Sequence, residues 1–279
     1  VVWLTLDPST LVRMLADSDP RTVAGKVRRM PTASPGSPRV LVVMPAWNEE
    51  ESVGATVRAL RAAQPGVDVL VVDDGSSDGT AAEAARAGAT VCPLPFNLGV
   101  GGAMRAGYRY AVQHGYDVVA QVDADGQHDG AYLPELIAAL DSADVVVGAR
   151  FAGRGDYRVG FFRGLAMRLL ATVLSRLAGT RLTDVTSGFR VVNRRALHIF
   201  ATHYPAEYLG DTVESLVIAL RTGCTVRQVP VEMRPRAGGR ASQTPVRAAL
   251  YLARAVIALA LALVRRWPTT LEHPPKEHA

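Results

Sequence analysis

From Val40 onward, short apolar runs alternate with longer amphipathic stretches. Val40–Met44, Val67–Val72, Thr90–Leu94, Asp117–Val122 and Asp144–Val147 have strand length and are rich in β-branched residues. Between them, apolar residues recur at helical spacing over Glu50–Ala63, Asp78–Ala87 and Val100–His114, and near Leu133–Leu140. Asn48 or Ser52 is placed to cap the first of these helices, and Ser77 or Asp78 the second. Strands that alternate with helices of this length predict an α/β fold. Its sheet should be mostly parallel, with right-handed crossovers and flanking helices. Beyond Arg150 the regularity breaks. Phe151–Tyr157, rich in glycine and arginine, reads as a loop over the site. Phe161–Ala178 reads as a helix whose leucines are interrupted by Arg163, Arg168 and Arg176. Glu207–Thr222 follows as a helix and Thr225–Val231 as a final strand.

The two ends differ from this body. Residues 1–38 read as an arm with a short amphipathic helix and a linker, Pro-Thr-Ala-Ser-Pro-Gly-Ser-Pro, that cannot hold regular structure. The globular domain is therefore expected over 39–244. Residues 245–268 predict an amphipathic helix, with Pro245 at a first helical position and Pro268 as its stop, and 269–279 a tail. Arg247, Arg254 and Arg265 share one side of that helix, and Leu252, Val256, Leu259 and Leu263 lie opposite. Its unbroken apolar stretch, Ala255–Val264, is shorter than the roughly 20 residues a bilayer core takes, so a membrane-surface position is expected. Packing on the body or on a second copy is the competing reading.

Composition adds little beyond this. A hydrophobic content of 48% and a charged content of 20% describe an ordinary globular chain rather than a disordered one. The net charge of +5 does change the picture, because seven arginines and no acid lie between Met233 and Trp267. The body is slightly acidic, and the basic segment suits anionic lipid at least as well as nucleic acid; no nucleic-acid partner is expected. Cys92 and Cys224 sit far apart in apolar contexts, which suggests free thiols in a reducing compartment. The N-terminus shows no signal-peptide pattern. A cytoplasmic protein, peripheral on the inner face of the membrane, is the expected location.

The chemistry collects at the strand ends. Val118–Val122 runs into Asp123-Ala124-Asp125-Gly126-Gln127-His128, two carboxylates followed by an amide and an imidazole. Ligands of open α/β sheets sit beyond the carboxyl ends of the strands. A carboxylate pair there suits Mg2+ or Mn2+ carrying substrate phosphates better than Zn2+, although the same residues also make ordinary solvated turns. The first strand ends in Pro45-Ala46-Trp47-Asn48-Glu49-Glu50 and the second in Asp73-Asp74-Gly75-Ser76-Ser77-Asp78-Gly79-Thr80. Trp47 offers a face to a base or to packing, and an exposed Asp74 would accept from base N–H groups. Gly99-Val100-Gly101-Gly102 opens a helix after the third strand, not the first, and lacks the spacing of a dinucleotide fingerprint.

These stretches together resemble glycosyltransferase family 2, whose catalytic domain has the GT-A fold. The likeness runs through Pro45–Glu49, Asp73–Thr80, Asn97–Ala103, Asp123–His128 and Thr183-Asp184-Val185-Thr186-Ser187-Gly188-Phe189-Arg190. Glu214 and Val229-Pro230-Val231 continue it, so that about 39–245 is covered. The set looks most like the dolichol/polyprenol-phosphate mannosyltransferase branch. The resemblance implies inverting transfer of a sugar from a nucleoside diphosphate sugar, GDP-mannose favoured, to a lipid phosphate such as polyprenyl phosphate. It implies a metal on Asp125 with Asp123 and Gln127, a donor pocket involving Pro45, Ala46, Trp47, Asn48, Glu49, Asp74, Gly101, Asp123 and Ala124, and phosphates cradled by Arg150, Arg190 and Arg236. Glu214 matches the family's helix glutamate, and with Asp211 on the same helix face it would position the acceptor or act as base. His128 is a weaker base candidate. A membrane-protein partner or a homo-oligomer is compatible with the pattern. Ala241 and Ser242 stand where the branch has Ser-Lys, a change that bears on the acceptor more than on the donor, and Trp47 stands where the branch usually has Tyr. The alternative is a UDP- or dTDP-sugar with a hydroxyl acceptor in cell-envelope glycan synthesis. More remote are a sugar-1-phosphate nucleotidyltransferase and an inactive scaffold.

Overall fold

The structure, a computed structural model, describes residues 38–150, 161–205 and 211–234, with side chains from 168 onward in the second of these segments from 161. The N-terminal arm, the Phe151–Tyr157 loop, Arg236, the helix expected over 245–268 and the tail lie outside the described residues. The elements run β1 (Val40–Ala46), α1 (Val53–Ala63), β2 (Asp68–Asp73), α2 (Thr80–Arg86), β3 (Thr90–Pro93), α3 (Gly99–Gln113) and β4 (Val118–Gln121). Then come α4 (Leu133–Ala138), β5 (Val145–Arg150), α5 (Phe161–Ala178), β6 (Arg190–Val192), α6 (Arg194–His203), α7 (Asp211–Arg221) and β7 (Val226–Val231). The order across the seven-stranded sheet is β3-β2-β1-β4-β6-β5-β7. All pairings are parallel except those of β6, which is antiparallel to both β4 and β5.

The alternation along β1 shows how the sheet is covered. Leu41 and Val43 face a core completed by Met104 and Tyr108 of α3, Leu170 and Leu174 of α5, Phe200 of α6 and Val213 of α7. Val42 and Met44 face the opposite core, built with Val53 and Val57 of α1, Ala84 of α2, and Leu133 and Leu136 of α4. Strands apolar on both faces are what a parallel sheet between two helical layers requires. Each fully buried aliphatic side chain contributes about 1.5–3 kcal/mol, so stability resides in these layers and the strand ends are left for chemistry.

Two elements are absent from the sequence expectation, β6 and α6. Three residues after Ser-Gly-Phe carry too little periodicity to read as a strand. They pair because the gap between β4 and β5 accepts them: Ala120 registers with Val191 and Val146 with Val191. Helix α6 did carry a signal. The Asn193 side chain caps it, accepting from the Ala196 N–H at 3.1 Å, and Ala196, Leu197 and Phe200 form its apolar face.

Candidate active site at the strand ends

Strand β4 delivers Asp123 and Asp125 to the carboxyl edge of the sheet. Ala124 between them points inward and is buried, and its carbonyl accepts from the Thr56 hydroxyl at 3.0 Å. Asp125 Oδ1 accepts from the Gln127 N–H at 3.0 Å across a turn in which Gly126 has φ 77°. The Gln127 carbonyl accepts from the Arg234 N–H at 2.9 Å, and His128 bridges to Met233, so the loop is stitched to the chain just after β7. Asp123, Asp125 and Gln127 are thereby all left partly exposed on one rim. Among the described residues no three His, Cys, Asp or Glu side chains gather as a closed metal cage. Asp123, Asp125 and Gln127 offer two carboxylates and an amide, all partly exposed. That fits a hard divalent cation which takes its remaining ligands from a substrate diphosphate and water.

The ends of β1 and β2 interlock beside this rim. Asn48, held at φ 52°, donates its N–H to Ser76 Oγ at 2.9 Å, and its Oδ1 accepts from the Ser77 N–H at 2.9 Å. Glu49 donates its N–H to Thr80 Oγ1 at 2.8 Å, and Glu50 Oε2 accepts from the Gly79 N–H at 2.8 Å. Asn48 therefore binds the neighbouring loop instead of capping α1, and Ser52 occupies the cap position without a capping bond of its own. Pro45 and Ala46 complete β1, and Trp47 projects from its end, 55% exposed. Phe96 on the adjoining loop is 50% exposed.

Asp74 corrects the expectation of an exposed carboxylate. It is buried, and its two oxygens accept from the Leu98 and Gly99 N–H groups at 2.7 and 2.8 Å, tying the end of β2 to the start of α3. Burial pushes its pKa up against the lowering effect of those two bonds. Gly101 is also a packing residue. A Cβ there would lie 2.2 Å from the Pro205 carbonyl oxygen and 3.4 Å from Asp211 Cβ, so only glycine lets α3 come this close.

The arginines divide by burial. Arg150, at the end of β5, donates from Nε to Asp184 Oδ2 at 2.7 Å and from Nη2 to Asp184 Oδ1 and Thr186 Oγ1 at 3.0 Å, with 46% of its side chain exposed. Arg190 corrects the phosphate-cradle expectation: it is 1% exposed, and its guanidinium donates to the Ser187 and Val185 carbonyls and to Ser215 Oγ. It does not pair with Asp184, whose partner is Arg150. Burial alone would raise the Asp184 pKa, but the Arg150 hydrogen bonds and charge, with the Arg150 and Thr186 N–H groups, hold it below its ordinary 3.8. A depressed carboxylate stabilises the fold above the unfolded-state pKa and loses that contribution as pH falls through the folded one. Asp184→Asn should therefore cost about 1–2 kcal/mol at pH 7, the exposure of Arg150 limiting the figure. The gap in unfolding midpoint from the parent should close as pH drops below 3.8; melting curves against pH check it.

On α7, Asp211 and Glu214 do share the first turn, partly buried. Asp211 Oδ2 is buried and has no hydrogen-bond partner among the described residues. Burial raises its pKa, Arg190 opposes the rise, and the charge of Asp123 adds to it, which places this carboxyl within electrostatic reach of the Asp123 rim. His128 is not placed as a base: its ring is buried and its Nδ1 accepts from the Asp123 N–H at 3.0 Å. Spacing alone cannot show that a side chain beside two carboxylates turns inward.

The family model described as glycosyl transferase family 2 matches residues 41–200. The chain belongs to glycosyltransferase family 2. Among curated family relatives it is 34% identical over 215 residues to the undecaprenyl-phosphate mannosyltransferase of Micrococcus luteus, covering 74% of this chain and 88% of that one. To the polyprenol monophosphomannose synthase of Mycolicibacterium smegmatis it is 32% identical over 224 residues, covering 76% and 84%. Among solved structures, glucosyl-3-phosphoglycerate synthase from Mycobacterium tuberculosis, in complex with Mn2+, uridine diphosphate and phosphoglyceric acid, superimposes with a TM-score of 0.61 at 19% identity. That match covers 81% of this chain and 78% of the other. The seven-stranded sheet is thus the GT-A arrangement of glycosyltransferases, and the chain is a glycosyltransferase.

Proposed function

We propose that this glycosyltransferase moves a sugar from a nucleoside diphosphate sugar, GDP-mannose in the first instance, to a lipid phosphate such as polyprenyl phosphate. The observation that carries this is the open rim of Asp123, Asp125 and Gln127 at the end of β4, in a chain whose similar curated relatives are named for lipid-phosphate mannosyl transfer. Asp125, with Asp123 and Gln127, would hold Mg2+ or Mn2+; a cation there supplies neutralisation of the charge that grows on the leaving diphosphate. Trp47 and Phe96, both exposed, would offer aromatic faces to the base, and the Pro45–Glu49 segment would line the donor pocket. An acceptor phosphate oxygen attacks the anomeric carbon as the bond to the diphosphate breaks, with inversion. A phosphomonoester is already anionic, so no group needs to take a proton. Arg150, paired with Asp184 and half exposed, would meet one of the phosphates, and Arg236 is proposed for the same task.

A second reading has one observation behind it. Asp211, its Oδ2 unpartnered among the described residues and its pKa raised in part by the charge of Asp123, is a carboxyl that would serve a hydroxyl acceptor as base, with Glu214 positioning it. Titration calorimetry with GDP, UDP and dTDP in Mn2+ tests the donor. GDP is expected to bind tightest; a tenfold preference for UDP, about 1.4 kcal/mol, would move the donor to a UDP-sugar. Product analysis with polyprenyl phosphate against hydroxyl acceptors separates the two acceptor classes.

A peripheral position on an anionic membrane face also forms part of the proposal. Among the described residues no helix is long and apolar enough to cross a membrane. Along the second half of α5 and the turn after it, Arg168, Arg176 and Arg181 line an open surface groove, and Leu169 and Leu177 are exposed on the same helix. Basic heads beside apolar side chains suit a lipid surface. Binding to anionic vesicles that is released by high salt is the expected result, and recovery in the soluble fraction at low salt would refute it.

A further inference from the structure

We infer that Gly188, Phe189 and His128 form a positioning frame for the carboxylate of Asp123, which gives the Ser187-Gly188-Phe189-Arg190 stretch its task at the site. The inference rests on the reading of Asp123 as a metal ligand. Gly188 is not among the glycines at positive φ, so its backbone would tolerate alanine. Space is what excludes a side chain: a Cβ would stand 3.0 Å from both Asp123 carboxylate oxygens and 3.3 Å from Gln121 Nε2. The Asp123 carboxylate thus lies directly against the backbone of Gly188.

The next residue reaches the same aspartate by another route. Phe189 is fully buried and stacks on the His128 ring, with centroids 4.9 Å apart and planes 16° from parallel. Held in that plane, His128 accepts the Asp123 N–H on Nδ1 at 3.0 Å. An imidazole that accepts on Nδ1 carries its proton on Nε2, and Nε2 faces Asp123 Oδ2 at 3.7 Å. That is beyond hydrogen-bond length, so the ring orients the carboxylate through its dipole and its bulk. Arg190, anchored by the Ser187 and Val185 carbonyls and by Ser215, keeps the frame from moving. Asp123 is therefore held at its backbone by His128, while its carboxylate occupies the space that a side chain at 188 would take; one short segment sets both. Outer-shell groups that orient metal ligands typically cost 10–100-fold in affinity when removed.

The test uses the full chain and Mn2+ alone, followed by loss of the free-ion electron paramagnetic resonance signal, with unfolding midpoints measured without metal. Asp123→Ala should weaken Mn2+ binding more than tenfold. Gly188→Ala should weaken it about tenfold, and so should His128→Phe, which keeps the stack on Phe189 and loses both nitrogens. In the Asp123→Ala background, Gly188→Ala should add no further loss, because the group it displaces is gone. Parent-like Mn2+ affinity in Asp123→Ala would overturn the metal-ligand reading itself. Weakened binding in Asp123→Ala together with parent-like affinity in Gly188→Ala and His128→Phe would overturn the positioning role alone. So would a Gly188→Ala loss of equal size in both backgrounds, which marks a merely structural residue.

Discussion

Asp125→Ala is expected to leave a folded protein whose sugar transfer is reduced by about 10³-fold or more. The departing diphosphate carries the charge that develops in the reaction, and removing preorganised stabilisation of such charge typically costs 10²–10³-fold for a single donor. Here the substitution removes the central ligand proposed for a divalent cation, so a larger loss follows. The fold should survive because Asp125 sits beyond the last buried residue of its strand run. Val119, Ala120 and Val122, which carry the burial, are untouched. Product formation from GDP-mannose in Mn2+, beside a melting curve of the same sample, gives both readings. Transfer by the variant at the parent rate in EDTA would remove Asp125 and the cation from the mechanism together.

Arg190→Leu is expected to act on stability instead, lowering it by about 3–5 kcal/mol. The guanidinium is enclosed, and its bonds satisfy two backbone carbonyls and the Ser215 hydroxyl. Leucine fills part of the volume and leaves those acceptors without donors. For a folded body of this size that corresponds to a fall in unfolding midpoint of roughly 10 °C. A phosphate-binding arginine would behave differently, raising KM for the donor with an unchanged midpoint. Thermal melts and donor titration on one preparation separate the outcomes. An unchanged midpoint would return Arg190 to the substrate site.

Sequence alone determined the layered α/β body and the strand ends at which chemistry occurs. Continuous apolar runs buried on both faces, as along β1, and the amphipathic helices between them are local properties that hydrophobic burial enforces wherever they arise. The Asp123-Ala124-Asp125 rim was legible for the same reason: a strand that stops abruptly in carboxylates must present them at a sheet edge. What only the tertiary structure decided was the direction and partner of each polar side chain. Asp74 and Arg190 look like ligand-binding groups in a linear pattern, yet one is consumed by Leu98 and Gly99 and the other by Ser187, Val185 and Ser215. Arg150 met Asp184 across 34 positions, a pairing that no spacing rule encodes. Strand β6 formed because β4 and β5 left room for it. Burial periodicity is written into neighbouring residues, whereas the partner of a buried charge is set by long-range packing, because desolvation obliges it to bond with whichever group the fold brings within about 3 Å.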